Sequence, residues 1–264
     1  SPMSRGLGDV YKRQLVASFH ENIDGEHYAL LMVVPPEAGQ STTLPRETLF
    51  IIDSSGSMGG APMRQAKASL QLALQRLKPG DRFNITDFDS QHTLLFETPA
   101  TVNDNSRQQA QQFVAGLQAS GGTHMLPALS ATLSQPASDG YLRQVIFITD
   151  GAVGNEHGIF QALHQQLGEA RLFTVGIGSA PNSHFMTRAA QFGRGSFTYI
   201  NDQNQVQQGM DTLFRRLESP LMRNLQVQLP NGIVAERWPQ KLPDLYAGEP
   251  CLLYTSDAAD EWLR

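Results

Sequence analysis

The chain has 264 residues, of which 40% are hydrophobic and 17% charged, with a net charge of −5 and one cysteine. This length is enough for one or two domains with a buried core. Mild acidity and the lack of a lysine or arginine run argue against a nucleic-acid or anionic-membrane partner. The sequence shows no run of ~20 apolar residues and no signal-peptide-like start, and one cysteine excludes an internal disulfide or a cysteine-zinc site.

The two ends of the chain lack the periodicity of their neighbours. Residues 1–14 contain DVYKRQ, and residues 251–264 contain CLLYTSDAADE. Both strings resemble translated sequencing-library adapters in the correct orientation, and the alternative is two ordinary polar termini. We therefore predict that 1–14 and 251–264 are adapter-derived and not native, and that the natural segment is an interior piece of a longer protein. Resequencing the source locus tests this prediction.

Apolar runs alternate with amphipathic segments through most of the natural segment. Three continuous runs predict strands buried on both faces of a parallel sheet: 49–52, 145–148 and 172–175. Further strands are predicted at 83–88, 93–96 and 196–200. Helical spacing predicts the intervening helices, with Pro62 in the first turn of one and Asn105 as the cap of the next. The alternation predicts an α/β fold with a doubly wound, mostly parallel central sheet and helices on both faces.

The sequence on either side of this alternating segment has a different hydrophobic pattern. Residues 27–34 form an apolar run before two prolines and a polar linker, and residues 221–229 alternate before a turn at 230–232. Both flanks predict strands of truncated β-rich neighbours. We therefore divide the natural segment into the end of a preceding β region with its linker, one α/β domain, and the start of a C-terminal β-rich region: 15–44, 45–219 and 220–250.

Polar residues follow two of the predicted buried strands. Asp53, Ser55 and Ser57 form a D-x-S-x-S pattern after the first, Asp150 follows the second, and Thr123 lies after two glycines between them. Ligands of open α/β sheets bind at the carboxyl ends of strands, so we expect these side chains to form one oxygen-only set. Such ligands suit Mg²⁺, with Mn²⁺ or Ca²⁺ as alternatives.

Most ligands in this predicted set are neutral hydroxyls. A cation held in this way can accept a carboxylate from outside the protein, which is the chemistry of a docking site. The alternative is that Ser55 and Ser57 cap the helix that follows, a common role for serines at such turns. Asp87 and Asp89 lie near the same edge, and we predict that they order the loop rather than bind metal.

These three motifs together resemble a von Willebrand factor A domain. DSSGSM follows an apolar strand, GGT lies in the middle, and ITDG follows a later strand. The resemblance implies a metal-ion-dependent adhesion site formed by Asp53, Ser55, Ser57, Thr123 and Asp150. It also implies a non-enzymatic module whose partner is a protein or matrix ligand that presents an acidic side chain.

The longer strings LPRETLFIIDSSGSM, LKPGDRFNITDF and RQVIFITDGAVGNE resemble the inter-α-trypsin inhibitor heavy-chain-like group, in which a VIT domain precedes the A domain. Within it, the sequence is most similar to marine proteobacterial sortase target proteins. That resemblance implies a bacterial cell-surface, extracellular or periplasmic location, with any membrane association made through parts outside this segment. His124 stands beside the metal threonine where the resemblance leads us to expect an acidic residue, and it lowers the local negative charge.

Two other functions compete with adhesion. A serine or metal-assisted hydrolase is one alternative. Against the first, Ser57 lacks the preceding glycine of G-x-S-x-G and no His/Asp pair is evidently placed to serve it. Against the second, the sequence offers no second metal cluster and no obvious general base. A structural domain whose metal only rigidifies the loops is the other.

Among minor motifs, Pro181 replaces the third glycine of a nucleotide loop that begins at Gly176, which argues against nucleotide binding.

Two further patterns have plain structural readings. His157 and His164 are seven residues apart on one predicted helix, a spacing that favours a solvated face over a zinc site. The glycosylation sequon at Asn84 falls in a predicted strand, so we interpret it as a coincidence.

Overall fold

The computed structural model describes residues 15–34, 45–151, 153–179, 181–218, 220–222, 225, 236–238, 242–246 and 251–256. The strands are β1 (Leu15–Ile23), β2 (Glu26–Val34), β3 (Arg46–Asp53), β4 (Arg82–Phe88), β5 (His92–Leu94), β6 (Ala100–Thr101), β7 (Leu142–Thr149), β8 (Arg171–Ile177), β9 (Arg194–Ile200), β10 (Pro220–Met222), β11 (Glu236–Trp238), β12 (Leu245–Tyr246) and β13 (Cys251–Ser256). The α-helices are α1 (Ala61–Arg76), α2 (Asp104–Gly116), α3 (Met125–Leu133), α4 (Glu156–Gln166), α5 (Ser183–Phe192) and α6 (Val206–Glu218).

The chain divides into two compact units, one spanning 43–218 and one formed by the segments that flank it. In the first unit, seven strands form a sheet in the order β5-β4-β3-β7-β8-β9, with β6 also paired to β4. β4, β3, β7, β8 and β9 run parallel, and only β5 and β6 are antiparallel. This arrangement confirms the predicted doubly wound, mostly parallel sheet.

Helices cover both faces of this sheet. Leu49 and Ile51 of β3 pack with Val145 and Phe147 of β7 against apolar residues of α3, α4 and α5. Because side chains alternate along a strand, the intervening residues of β3 point to the opposite face. There α1 contacts both α2 and α6. All eight residues of β3 are buried, as expected for a central strand of a parallel sheet.

Arginines lie at the first or second position of the five parallel strands: Arg46, Arg82, Arg143, Arg171 and Arg194. Two of them neutralise buried carboxylates. The Arg46 guanidinium lies 2.6 Å from Asp81 Oδ2, and the Arg143 guanidinium lies 2.5 Å from Oε1 of Glu47, whose side chain is fully buried. The amino-terminal edge of the sheet therefore holds paired buried charges, and loss of either partner would leave the other uncompensated.

The helix boundaries agree with the predicted periodicity except at one cap. The predicted cap at Asn105 is wrong, because Asn103 caps α2 and Asn105 lies inside it. The Asn103 side chain accepts the Ser106 N–H at 2.9 Å, and the Ser106 hydroxyl accepts the Asn103 N–H at 3.0 Å. This reciprocal capping box outcompetes the later asparagine because it satisfies two amides at once.

The second unit contains a four-stranded antiparallel sheet in the order β1-β2-β13-β11 and a separate pair formed by β10 and β12. β2 matches the strand predicted at 27–34. Most of the predicted strand at 221–229 lies outside the described residues, which include its start in β10. The pairing of 251–256 as a strand does not show where that segment of the sequence comes from. Its interpretation as adapter-derived therefore stays a prediction.

The carboxyl ends of β3 and β7 lie where the strand order of the first unit's sheet reverses direction. From β3 the chain crosses to β4 on one side, whereas β7, β8 and β9 extend the sheet on the other side. The gap between β3 and β7 is therefore the topological switch point, where open α/β sheets bind ligands. Within the described part of the chain, no helix is both long enough and apolar enough to cross a membrane.

Candidate metal centre

Asp53 ends β3 at this switch point and is completely buried. Its Oδ1 accepts the Ser55 N–H at 2.8 Å, and its Oδ2 accepts the Thr149 hydroxyl at 2.6 Å. Burial raises the pKa of Asp53, and the hydrogen bonds from Ser55 and Thr149 only partly oppose that effect. None of the described basic side chains forms a salt bridge with Asp53. The buried carboxylate thus has hydrogen-bond donors but no cationic partner among the side chains that the structure describes.

The hydroxyls of Ser55 and Ser57 lie together, with their Oγ atoms 3.1 Å apart. Ser55 occupies the cap of a 3₁₀ turn at Gly56–Met58, but its side chain makes no capping hydrogen bond. The cap of α1 is Gly60, which has no side chain to contribute. The helix-capping interpretation of the two serines is therefore wrong. Ser55 is buried and Ser57 is exposed, so the two hydroxyls extend from the buried Asp53 toward the protein surface.

Thr123 lies on a loop that contacts the segment following β3. The Gly56 N–H donates to the Gly121 carbonyl at 3.2 Å, and the Ser120 N–H donates to the Ser54 carbonyl at 2.8 Å. Thr123 itself is half-buried. Two backbone hydrogen bonds therefore fix this loop beside the segment that carries Ser55.

Asp150 follows directly after β7 and is half-buried. Next to the larger effect of burial, the charge of Asp150 also raises the pKa of Asp53, as expected for neighbouring carboxylates. The Gly151 N–H donates to the Thr149 hydroxyl at 3.0 Å. Gly151 has φ +79°, and a Cβ there would lie 2.5 Å from the Asn182 nitrogen, so only glycine fits this close approach.

The structure thus brings the predicted residues to one edge of the sheet. Asp53, Ser55 and Ser57 form a connected group, and the loops carrying Thr123 and Asp150 adjoin it. Two carboxylates and three hydroxyls are hard oxygen donors of the kind that Mg²⁺ prefers. No cluster of three His, Cys, Asp or Glu side chains suited to a metal occurs among the described residues, so a metal here would depend on the hydroxyls.

Asp89 orders its loop, as predicted. Its Oδ1 accepts the Gln91 N–H at 2.8 Å and its Oδ2 accepts the Ser120 hydroxyl at 3.2 Å. Asp87 behaves differently, because its Oδ1 is buried without a hydrogen-bond partner in the described part of the chain. Burial raises the pKa of Asp87, while the Ser54 hydroxyl lowers it.

Two residues outside the predicted set, Thr149 and Ser90, also shape the centre. Thr149 bridges Asp53 and Gly151, and Ser90 accepts the Gly122 N–H at 2.7 Å. Thr149 stands in the string ITDG, directly before the aspartate predicted as a ligand, so its proximity to the site is apparent in the sequence. Nothing in the sequence around Ser90 indicates its contact, because Ser90 and Gly122 are distant along the chain.

The minor motifs have the predicted structural roles. Both His157 and His164 are exposed on α4. Asn84 is 1% exposed, and its side-chain amide donates to Phe96 O at 2.7 Å and Gln135 Oε1 at 2.8 Å. Buried and bonded in this way, Asn84 cannot accept a glycan in the folded protein.

A doubly wound sheet with a polar, oxygen-rich loop cluster at its switch point defines a class of α/β binding domains. The chain belongs to the von Willebrand factor type A domain family, whose model matches residues 46–199. That match contains all five predicted ligand positions.

Similar full-length proteins carry the same domain. Two von Willebrand factor A domain-containing proteins of Dictyostelium discoideum are each 29% identical over 209 residues, or 79% of this chain and 25% and 23% of their own lengths. The von Willebrand factor A domain-containing protein 5B1 of mouse is 26% identical over 242 residues, covering 89% of this chain and 20% of the mouse protein. The chain thus spans about a quarter or less of these relatives.

Solved structures share the fold at low sequence identity. The von Willebrand factor type A protein of Catenulispora acidiphila has a TM-score of 0.68 at 17% identity, covering 95% of this chain and 66% of its own. VWA2, the ArnB paralog of Sulfolobus acidocaldarius, has a TM-score of 0.63 at 19% identity, covering 94% and 66%. The domain of the type V pili tip protein Mfa5 of Porphyromonas gingivalis has a TM-score of 0.54 at 12% identity, covering 72% and 100%.

Proposed function

We propose that this chain is a divalent-cation-dependent protein-binding module of a larger cell-surface protein. The observation that carries the proposal is the buried Asp53 carboxylate, which has no cationic side-chain partner among the described residues. It lies beside Ser55 and Ser57, whose hydroxyls do not cap a helix. A buried carboxylate is costly unless a cation or several donors compensate it. A bound cation would supply the positive charge that the described contacts of Asp53 lack.

Asp53 and Asp150 would supply the negative charge of the site, and the hydroxyls of Ser55, Ser57 and Thr123 would supply neutral oxygens. The Ser55 amide and the Thr149 hydroxyl hold the two Asp53 oxygens in fixed directions. When bound, Mg²⁺, or alternatively Mn²⁺ or Ca²⁺, would provide a position for a carboxylate oxygen from a protein or matrix partner. The exposed position of Ser57 leaves the outer side of this set open to solvent.

The same features favour binding over catalysis. The Ser57 hydroxyl pairs with Ser55, and within the described residues no histidine donates to it or accepts from it. A serine nucleophile is typically activated by a general base within hydrogen-bond reach. We therefore propose a non-enzymatic module.

The longer sequence strings that resemble the inter-α-trypsin inhibitor heavy-chain-like group support a larger protein of that kind. Such a protein would have a VIT domain ahead of the A domain and be similar to marine proteobacterial sortase target proteins. The relatives are about four times longer than the part matched here, which leaves room for such domains. A pilus-tip protein among the structural neighbours supports a cell-surface or extracellular location.

Calorimetric titration of Mg²⁺ into the metal-free protein tests the site. We expect binding by the unaltered protein, none by Asp53→Ala, and unchanged binding by Asp139→Ala, which removes an exposed carboxylate elsewhere. Equal heats from the unaltered protein and Asp53→Ala would refute the assignment.

The partner chemistry needs a separate test. We would measure binding of immobilised peptides that each carry one glutamate, with matched glutamine peptides as controls, in Mg²⁺ and in EDTA. Adhesion through the metal predicts binding of glutamate peptides in Mg²⁺ alone. Glutamate-specific binding that survives EDTA would show that the metal is not the contact with the partner.

A further inference from the structure

The loop that carries Thr123 is held by a turn that contains none of the predicted ligands. We propose that this segment, Asp89-Ser90-Gln91, is a positioning element that fixes Thr123 for metal binding. We call it the 89–91 turn. The proposal rests on the proposed function, because it concerns the same site.

Two hydrogen bonds from the 89–91 turn flank Thr123 on both sides. The Gly122 N–H donates to the Ser90 hydroxyl at 2.7 Å, and the His124 N–H donates to the Asp89 carbonyl at 2.7 Å. Because the amides before and after Thr123 are both tied to the turn, its backbone has little freedom to move independently.

The Asp89 carboxylate connects the shape of the turn to the position of the loop. Its Oδ1 accepts the Gln91 N–H, which closes the turn, and its Oδ2 accepts the Ser120 hydroxyl at 3.2 Å. Gly121 has φ +66°, and a Cβ there would lie 2.8 Å from Ser90 Oγ and 3.0 Å from Asp89 Oδ2. The turn and the loop therefore touch so closely that a larger residue would separate them.

The segment following β3 holds the same loop through two further contacts. Gly121 O and Ser120 N–H bond to Gly56 and Ser54, the neighbours of Ser55. The loop is thus clamped between the 89–91 turn and the segment that carries two predicted ligands. Ser90 and Gly122 are both exposed, so their hydrogen bond adds little to the core and acts chiefly on the position of Thr123.

The dissociation constant of Mg²⁺, measured by calorimetry, tests this role. We expect Ser90→Ala to weaken Mg²⁺ binding by about fivefold, the effect of one typical hydrogen bond. Ser90→Thr keeps the hydroxyl and should bind nearly as the unaltered protein does. Ser134→Ala is the matched control, because it removes an exposed serine hydroxyl bonded to Ala131 O, away from the site. The unfolding temperature in EDTA should stay unchanged in all three variants.

A double-mutant cycle separates positioning from a general effect. If Ser90 acts through Thr123, then Ser90→Ala should have no further effect on Mg²⁺ affinity in a Thr123→Ala background. Undiminished weakening in that background, or unaltered affinity in Ser90→Ala alone, would overturn the proposal. Loss of binding in Asp53→Ala together with unaltered affinity in Ser90→Ala would refute the positioning role alone, whereas no binding by the unaltered protein would refute both proposals.

Discussion

Thr149 donates its hydroxyl proton to Asp53 Oδ2 at 2.6 Å, and both residues are completely buried. The same hydroxyl accepts the Gly151 N–H at 3.0 Å, so its proton must point toward Asp53. This relay joins the ends of β3 and β7, and with them the segments that carry the two predicted carboxylate ligands.

Removal of this hydroxyl should destabilise the metal-free protein. Thr149→Val keeps the shape but leaves Asp53 Oδ2 and the Gly151 amide without their partner. The free energy of unfolding should fall by about 1–3 kcal/mol, the cost of unsatisfied buried polar groups. Urea denaturation in EDTA measures this change. Thr149→Ser retains the hydroxyl and should lose much less; equal losses in both variants would show that the methyl group, not the relay, matters.

The raised pKa of Asp53 predicts a pH dependence in the metal-free protein. Because the folded state holds the Asp53 proton more tightly than the unfolded state does, the contribution of Asp53 to stability falls as pH rises from its ordinary pKa of 3.8 through the raised value. Asp53→Asn carries no charge at any pH, so its stability relative to the unaltered protein should improve over that range. Thermal unfolding in EDTA at a series of pH values measures the difference, and a constant difference would contradict the prediction.

Ser57 should affect metal binding without affecting the fold. Its side chain is exposed and is not needed to cap a helix, so Ser57→Ala should leave the unfolding temperature in EDTA unchanged. In the unaltered protein, Mg²⁺ at 100 times its dissociation constant should stabilise the fold by about 2.7 kcal/mol. Ser57→Ala should need more Mg²⁺ for the same stabilisation. Differential scanning fluorimetry across a Mg²⁺ series measures this, and superimposable curves would remove Ser57 from the ligand set.

The opposite edge of the sheet should determine stability and not metal binding. Arg143→Met leaves the buried Glu47 carboxylate without its guanidinium partner, and unfolding should become easier by about 3–5 kcal/mol. Arg76→Met disrupts half-exposed ion pairs with Asp211 and Glu218 and should cost about 0–1 kcal/mol for those pairs. Chemical denaturation compares the two variants. A weakened Mg²⁺ affinity in folded Arg143→Met would contradict the separation of the two edges.

The sequence predicted the α/β fold well because its central strands are buried on both faces. Continuous runs such as 49–52 have few alternative structures, and the helices between them keep a regular apolar spacing. The cap of α2 was misplaced because Asn103 and Asn105 are equivalent by residue type, and only the reciprocal bond with Ser106 distinguishes them.

The site was predictable only in part. D-x-S-x-S and the later aspartate are local patterns that end predicted strands, so they were visible in the sequence. The contacts of Ser90 with Gly122 and of Thr149 with Asp53 join segments that are far apart along the chain. Such contacts depend on how loops meet at the sheet edge, which no local pattern encodes.

The most direct test of the metal centre is anomalous diffraction from crystals of this protein grown with Mn²⁺. We expect a manganese peak at the carboxyl ends of β3 and β7, coordinated by oxygens of Asp53, Ser55 and Ser57. The same peak should be absent from Asp53→Ala crystals. Manganese bound only elsewhere, or no peak at this edge in crystals of the intact domain at saturating Mn²⁺, would show that these residues do not form a metal centre.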